Sequence, residues 1–496
     1  MKKSIIYKKT LLFSLGVLLF ASCSDVLNTV PITDEYTTAQ DDPNTQLLKT
    51  AADADLAMKS VNAIFGDEYW QFDYFFLGDA GSDVAYAGGD GDDFFQIDEY
   101  RLIPTDYVVG RDWGHINEYV KRCNLIINYV EGVSDLSQER KDEMIGEASL
   151  FRALSRFQGV QIWGDFPIVN TTITSINNNN FDTVYPSLYP ERKPVVEVYA
   201  SIIADCEVAL AKAPASTSAP ASKFRASKNA ANALLAKAYA SMPNPDWNKV
   251  NTYCDAVIAG GYTLLPTFDF LFDSKHEGNA ESIWEANGDG VGNTINGWGT
   301  NVFIGQNWKK FNTPSHTLNN AFTANVDNKR KASSIKKQAT TFADPYWTSF
   351  AQFPYPNKMR STDGTQNFYI FRLADILLLK AEALAHVNDF TGAIALVNQV
   401  RTRVSLPNVA PATSQDDAIN KILQERFLEL AFEGHRWFDL KREGKSIEIL
   451  SKQTYTKVGV EVPLPYAASI SKNDLLWPIP QSIIDNNVNL SQNPGY

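Results

Sequence analysis

The stretch FRLADILLLKAEALAHVNDFTGAIALVNQVRTR, residues 371–403, constrains the fold more than any other part of the chain. Apolar residues recur every three or four positions on both sides of a short turn, which predicts helix, turn, helix. Ala381 and Ala393 stand twelve apart, with Leu384 and Val397 at the matching large positions. Small residues there let two antiparallel helices approach closely, the logic of a tetratricopeptide (TPR) repeat. SKNAANALLAKAYASMPNPDWNKVNTYCDAVIAGG (227–261) is a similar pair, although its second small position, Asn248, fits poorly. PVVEVYASIIADCEVALAKAP (194–214) supplies half of another. Three or four degenerate TPR-like hairpins are expected, with an irregular α-bundle as the other arrangement the pattern permits.

Helical periodicity covers about 51–65, 112–131, 137–163, 194–212, 223–242, 246–260, 369–387, 389–404 and 415–443. Between 261 and 368 it is lost, in a region rich in Asn, Gly, Trp and Phe with strand-like pieces such as ESIWEAN. Residues 450–496, with VPLPY and LLWPIP, read the same way. The fold class is therefore mostly α, carrying one loop-rich excursion with short β-strands.

The N-terminus has a basic MKKSIIYKK, an eleven-residue apolar LLFSLGVLLFA and then Ser22-Cys23. Eleven apolar residues fall short of the roughly 20 needed to cross a bilayer, so residues 1–22 read as a signal peptide. Ala21 and Ser22 before Cys23 resemble a bacterial lipobox, with Phe20 where Leu is usual. Lipidation of Cys23 is expected, the alternative being an ordinary signal peptidase site beside a cysteine. Acyl chains bury about 0.8 kcal/mol per methylene and would hold the chain on a membrane through a polar tether, 23–50. Residues 51–496 form the single folded domain on this reading, with TPR-like helices mainly at 112–260 and 369–443.

The chain carries a formal charge of -12, and loss of residues 1–22 removes four lysines and no acid, leaving -16. No basic block persists beyond the leader, so nucleic acid is excluded as a partner. Cys123, Cys206 and Cys254 are an odd set of three, read as buried thiols with one bridge possible. The five histidines are scattered and no HExxH or CxxC occurs, so no metal site is expected.

LQERFLELAFEGHRWFDLKREGK (423–445) raises the question of chemistry directly. Glu425, Glu429 and Glu433 recur every four residues, which stacks carboxylates on one helical face. His435 lies two residues beyond Glu433 and projects roughly 200° away, off the acidic stripe. Arg436, Arg442, Arg372 and Arg152 are candidate partners, and Asp439 is within reach of Arg436. An ion-pair network bracing helix packing is expected, not catalysis or a metal centre.

Several segments together resemble the SusD/RagB family of outer-membrane lipoproteins from Bacteroidetes. CSDVLNTVP is similar to the family's start after its lipidated cysteine. GEASLFRALSRFQGVQIWGDFPIV resembles its Glu-Ala…Arg-Ala helix ending in Trp-Gly-Asp-x-Pro, and FRLADILLLKAEAL its Arg-x-Ala-Asp helix. ERFLELAFEGHRWFDLKREGK and SQNPGY resemble its last conserved block and its ending. The resemblance implies a right-handed superhelical scaffold of TPR-like hairpins that binds glycans without catalysis. It also implies a place on the outer-membrane surface, as the lid of a SusC-like, TonB-dependent transporter.

On that reading the ligand site lies in glycine-rich loops. NGDGVGNTINGWGTNVFIGQNWKKFN sets Trp298 and Trp308 among Gly, Asn and Gln, where little neighbouring bulk can bury a ring. Pyranose faces stack on such rings, and amides reach the hydroxyls around them. GDAGSDVAYAGGDGDDFFQIDEY forms the opposite wall by family position. The expected ligand-binding set is Trp298, Trp308, Tyr86, Asp83, Asn296, Gln306 and Tyr74. Trp284, Trp163 and Trp437 read as core, and Trp70 and Trp347 as intermediate. Asp90-x-Asp92 leaves calcium open but lacks a full calcium-loop pattern; no other cofactor is expected. Three other functions stand beside this one. A glycoside hydrolase would use two acids from Asp79, Asp83, Asp90, Asp92 and Asp93, a RagB-like lipoprotein would capture peptides, and a bare TPR scaffold would bind no ligand.

Overall fold

The computed structural model describes residues 46–88, 92–217, 219–290, 310–341 and 344–496, together with 295, 297, 299 and 303. The leader and Cys23 lie outside these residues. The chain divides into two compact units, one with 1–46 and 173–188, the other with 47–172 and 189–496. In the smaller unit a helix, Phe181–Leu188, follows a turn in which Asn180 Nδ2 donates to the Ser175 carbonyl at 3.0 Å.

The larger unit is built from helices. They are α1 (Ala51–Asn62), α2 (Tyr107–Tyr129), α3 (Gln138–Trp163), α4 (Val195–Lys212), α5 (Lys228–Ser241), α6 (Trp247–Ile258), α7 (His316–Ala324) and α8 (Asn328–Ser334). After them come α9 (Leu373–His386), α10 (Phe390–Arg403), α11 (Gln415–Glu429) and α12 (Arg436–Arg442). Side-chain caps fix where they begin: Ser137, Ser227, Asp246, Asp389 and Ser414 each accept from a backbone N–H three residues on. Consecutive helices pack in pairs, α2 on α3, α3 on α4, α5 on α6 and α9 on α10. Ala381 and Ala393 are fully buried, as the close approach of α9 and α10 requires. The TPR-like hairpins expected from the spacing are therefore present. From Met144 to Trp163 α3 is buried on every side, because α2 and α4 both pack on it.

The strands are short and paired in twos. β1 (Ala85–Tyr86) joins β3 (Thr313–Pro314), and β2 (Ser282–Ala286) joins β6 (Phe368–Arg372). β4 (Ile335–Gln338) joins β5 (Phe353–Pro356), and β7 (Thr454–Lys457) joins β8 (Val460–Pro463); these pairs are antiparallel, as is a further two-residue pair, Phe166–Pro167 with Arg192–Lys193. Trp284 on β2, Trp163 and Trp437 are core residues, as expected. Trp70 is also core, packing edge-on against Phe65 at 5.5 Å. Residues 369–372 are strand where helix was expected, since β2 offers them a pairing edge that local periodicity cannot register.

Two distant sequence motifs meet at the C-terminal end of α3. The Trp163 carbonyl accepts from Arg192 Nη2 at 2.8 Å and Asn493 Nδ2 at 2.9 Å. The Trp163 indole N–H donates to the Pro478 carbonyl at 3.2 Å. The WGDFP and SQNPGY segments thus satisfy a helix end that would otherwise be an orphan acceptor. Cys123, Cys206 and Cys254 are free buried thiols, and burial pushes Cys123 up to about 12.

One expected element is two. The helix predicted over 415–443 stops at Glu429, turns, and restarts as α12 at Arg436. Phe432 and Gly434 take left-handed backbone angles, φ +62° and +75°. The turn presses on the short helix Tyr74–Asp79: a Cβ on Gly434 would lie 2.6 Å from the Tyr74 ring, and one on Gly78 2.2 Å from the Gly434 backbone. Gly444 has a similar φ of +65° but open space around it. Gly444→Ala is expected to cost about 1 kcal/mol for its backbone alone, and Gly434→Ala clearly more because it adds the collision. Chemical denaturation of the two variants checks the difference.

Candidate functional site

The glutamate array is engaged by cations throughout. Glu425 Oε1 is 2.7 Å from Arg330 Nη1 and its Oε2 2.9 Å from Arg401 Nη1. Glu429 bonds Arg372 Nη1 at 2.7 Å, Arg330 Nη1 at 3.1 Å and Arg403. Glu433 holds Arg372 Nε at 2.6 Å and Lys358 Nζ at 2.6 Å. Glu281, the residue before β2, joins through Arg372 at 2.9 Å and Arg403 at 3.1 Å. With Asp327 on Arg330 at 2.5 Å, five carboxylates face Arg330, Lys358, Arg372, Arg401 and Arg403, and the formal charges cancel.

A second group lies beside the first. Arg426 binds Asp375 and Asp439, each at 2.7 Å, and Arg442 binds Glu382 at 2.7 Å and Asp439 at 3.1 Å. Asp439 therefore pairs with Arg426 and Arg442, not with Arg436 as expected, because Arg436 turns to Asp83 at 2.7 and 3.0 Å. Arg152 belongs to a separate pair with Asp205 at 2.6 Å. Burial would raise Glu429, but Arg403, Arg372 and Arg330 hold it far below the usual carboxylate range. Burial, then Lys237, pushes His435 down to about 4, so it is neutral at pH 7 and unsuited to acid-base work. Among the described residues no three His, Cys, Asp or Glu side chains converge on a possible metal position. The array is a brace.

The expected ligand residues divide. Trp298, Trp308, Asn296 and Gln306 lie outside the described residues, as does Asp90 of the calcium spacing, while the Asp92 and Asp93 side chains are likewise not described. Two glycines flanking Trp298 are described, and they sit close to other segments. Gly299 N–H donates to Gln71 Oε1 at 3.0 Å, and a Cβ on Gly297 would lie 2.1 Å from the Gly364 carbonyl oxygen. These glycines allow close backbone approach rather than marking empty space. Tyr74, Asp83 and Tyr86 are described and point inward, a correction to their reading as ligand contacts. Tyr74 is 7 % exposed, its ring packed 5.0 Å from Trp70. Asp83 is 3 % exposed with both oxygens on Arg436. Asp79 is fully buried, and burial pushes it up to about 7; neither acid offers a face to a substrate.

Tyr86 leads to a feature the sequence reading passed over. Its hydroxyl donates to Asp344 Oδ2 at 2.5 Å. Asp344 Oδ1 accepts from the backbone N–H groups of Tyr346 at 2.9 Å and Trp347 at 2.7 Å. This is the local turn that Asp favours, here reinforced by Pro345. The turn presents two adjacent half-buried rings. Trp347 stacks on His316 with centroids 3.7 Å apart at 11°, and His316 Nε2 donates to the Tyr346 carbonyl at 2.9 Å. Tyr346 meets Tyr86 and Tyr455 edge-on, each at 4.9 Å. Lys337 Nζ is 5.6 Å from the Trp347 ring, and the Glu461 carboxylate accepts from the Asn320 amide at 3.1 Å. Half-exposed rings ringed by amide, carboxylate and ammonium groups offer both an apolar face and hydrogen bonds to a polar ligand. The sequence signal was Asp-Pro before Tyr-Trp, a turn displaying two rings.

The model of the family described as "SusD family" matches residues 298–496, and that described as "Starch-binding associating with outer membrane" matches 88–240. "SusD-like protein P38" of Formosa agariphila is 26% identical, covering 100% of this chain and 99% of that protein. A "Laminarin binding SusD-like protein" superposes with a TM-score of 0.73 at 24% identity, over 90% of this chain and 100% of its own. "Surface glycan-binding protein A" of Bacteroides thetaiotaomicron, in complex with laminarihexaose, superposes at 0.72 and 19% identity, over 90% and 100%. The two structural likenesses establish the shared fold.

Two outcomes test the geometry. Glu429→Gln leaves three buried guanidiniums short of an anion and is expected to cost about 3–5 kcal/mol in urea unfolding. Tyr86→Phe frees Asp344 and is expected to cost only about 1 kcal/mol, while raising amide exchange at Tyr346 and Trp347.

Proposed function

Because the chain belongs to the SusD/RagB family, we propose that it is a glycan-binding lipoprotein of the outer-membrane surface. It captures oligosaccharides and passes them to a SusC-like, TonB-dependent transporter, without cleaving them. Cys23, freed by loss of residues 1–22, carries the lipid, and 23–50 is the tether.

The observation that carries the binding role is the Tyr346, Trp347 and Tyr455 ring group held by Asp344, Tyr86 and His316. Rings fixed before the ligand arrives lose little freedom on binding, which suits an extended ligand such as a polysaccharide, whose sugars present C–H faces among their hydroxyls. The laminarin and laminarihexaose named for two structural neighbours make β-glucans the first ligands to try. Trp298 and Trp308, with Asn296 and Gln306, stay in the proposal as a further part of the binding face. Of the acids singled out for a hydrolase, Asp79 and Asp83 do not favour that chemistry, since they are buried and bound.

Affinity gel electrophoresis over a panel of polysaccharides tests the proposal. Tyr346→Ala and Tyr455→Ala are each expected to weaken retention about tenfold, near 1.4 kcal/mol. Trp298→Ala with Trp308→Ala is expected to weaken it as well, whereas Val458→Ala, on an exposed hairpin tip, changes nothing. Unchanged retention in all ring variants places the site elsewhere. A co-purifying peptide seen by mass spectrometry, with no polysaccharide retained, transfers the protein to peptide uptake.

A further inference from the structure

A second pair of acids, remote in sequence from the brace and unused by the proposed binding, sits between the π-helical turn Tyr69–Asp73 and α2. Asp73 and Asp112 are 1 % and 0 % exposed. One guanidinium serves both: Arg111 Nη2 is 2.5 Å from Asp73 Oδ1, and its Nε 3.2 Å from Asp112 Oδ1. Arg111 is also shared with Glu68, whose Oε1 lies 2.8 Å from Nη1. The remaining oxygens, Asp73 Oδ2 and Asp112 Oδ2, are buried and meet no donor among the described residues. The two carboxyl groups are themselves within hydrogen-bonding reach of one another.

Two buried carboxylates set side by side resist both staying charged when a third acid already draws on the guanidinium they share. A proton placed between the free oxygens resolves this, turning a repulsion into a short, charge-assisted hydrogen bond. We propose that Asp73 and Asp112 share one proton at neutral pH, and that this proton fastens the π-turn to α2. The other titratable groups facing the pair are Tyr69 and Tyr119, while His115 stands one turn along α2 from Arg111. Tyr69 is committed to Gln158 Oε1 at 2.8 Å, and burial, then Arg111, pushes His115 down to about 4. Neither supplies a positive charge to the pair at pH 7. Burial raises both acids, Asp112 to about 6 and Asp73 well above its usual range. The pair titrates as one unit, so the proton belongs to neither residue alone.

The sign follows from the raised values. Carboxyls whose folded form holds its proton more tightly stabilise the fold at low pH and lose that contribution as pH rises through the folded value. The unfolded chain ionises near 3.9, so the loss begins above about pH 4 and ends once the shared proton leaves. Asp112→Asn replaces the shared proton by a permanent amide donor and removes this dependence. Unfolding equilibria of the full chain and of Asp112→Asn, measured from pH 5 to 9, are expected to diverge. The variant gains up to about tenfold in relative stability per pH unit until the proton of the wild-type pair is lost. Parallel curves overturn the proposal. Should Asp112→Asn fail to fold, infrared spectroscopy of the unaltered protein decides. A protonated carboxyl band at pH 7 that loses intensity in Asp73→Asn supports the shared proton, and a band that this substitution leaves unchanged overturns it. A stability that falls with chelator at pH 7 and recovers with calcium also overturns it, by placing a cation where the proton is proposed.

Discussion

Arg372 is the side chain on which the rest of the larger unit depends. It ends strand β6, begins α9, and donates to Glu281 just before β2, Glu429 of α11 and Glu433 of the following turn. A guanidinium can do this because its five donors radiate in one plane and stay charged when buried. A lysine in its place would supply one point charge where three carboxylates converge. The network's net worth in stability is small, since taking ten charged groups out of water offsets most of their attraction. Its effect is on specificity. Only one mutual placement of the β2–β6 pair, α8, α10 and α11 satisfies every member, so alternative packings of the helices are penalised heavily.

The break between α11 and α12 follows from the same requirement. Were the helix continuous, Glu433 would stay on the stripe with Glu425 and Glu429, and a third carboxylate would crowd their cations. The turn at Phe432 and Gly434 instead swings Glu433 onto Lys358 and the far edge of Arg372. It also sends Arg436 to Asp83, tying α12 to the segment leading into β1 and Tyr86. Scaffold and aromatic group are thereby linked through residues three apart in the chain, Asp83 braced and Tyr86 holding the turn of Tyr346 and Trp347.

What the sequence disclosed and what it concealed divide by the range of the interaction. The helix pairs were legible because their 3.6-residue period and small facing residues are local, as Ala381 and Ala393 illustrate. Arginine partners for the glutamates were also legible in kind, since a buried acidic stripe demands neutralisation. Their identities were not: Arg330 lies 95 residues from Glu425 in a stretch without helical pattern, and Arg401 and Arg403 look like an ordinary basic helix end. The break at Gly434 was hidden because ELAFEGH keeps helical spacing, and only contact with Tyr74 and Gly78 dictates the turn.

The burial of Tyr74, Asp83 and Tyr86 was hidden for a related reason. Glycines beside a tryptophan look like room around a ring when read along the chain, and Tyr86 in a Gly-rich loop looks exposed. In three dimensions Gly297 and Gly299 are where backbones touch, and Tyr86 is a strut whose hydroxyl reaches across 258 residues to Asp344. Among the rings left half-exposed are those carried by a tight Asp-Pro turn and by the β7–β8 hairpin. A turn whose backbone donors are already taken by Asp344 is too short to fold its side chains inward, so Tyr346 and Trp347 stay at the rim. Surface aromatics in such a chain are found by asking which segments lack the length to bury them, a question that needs the partners of each turn and not its composition.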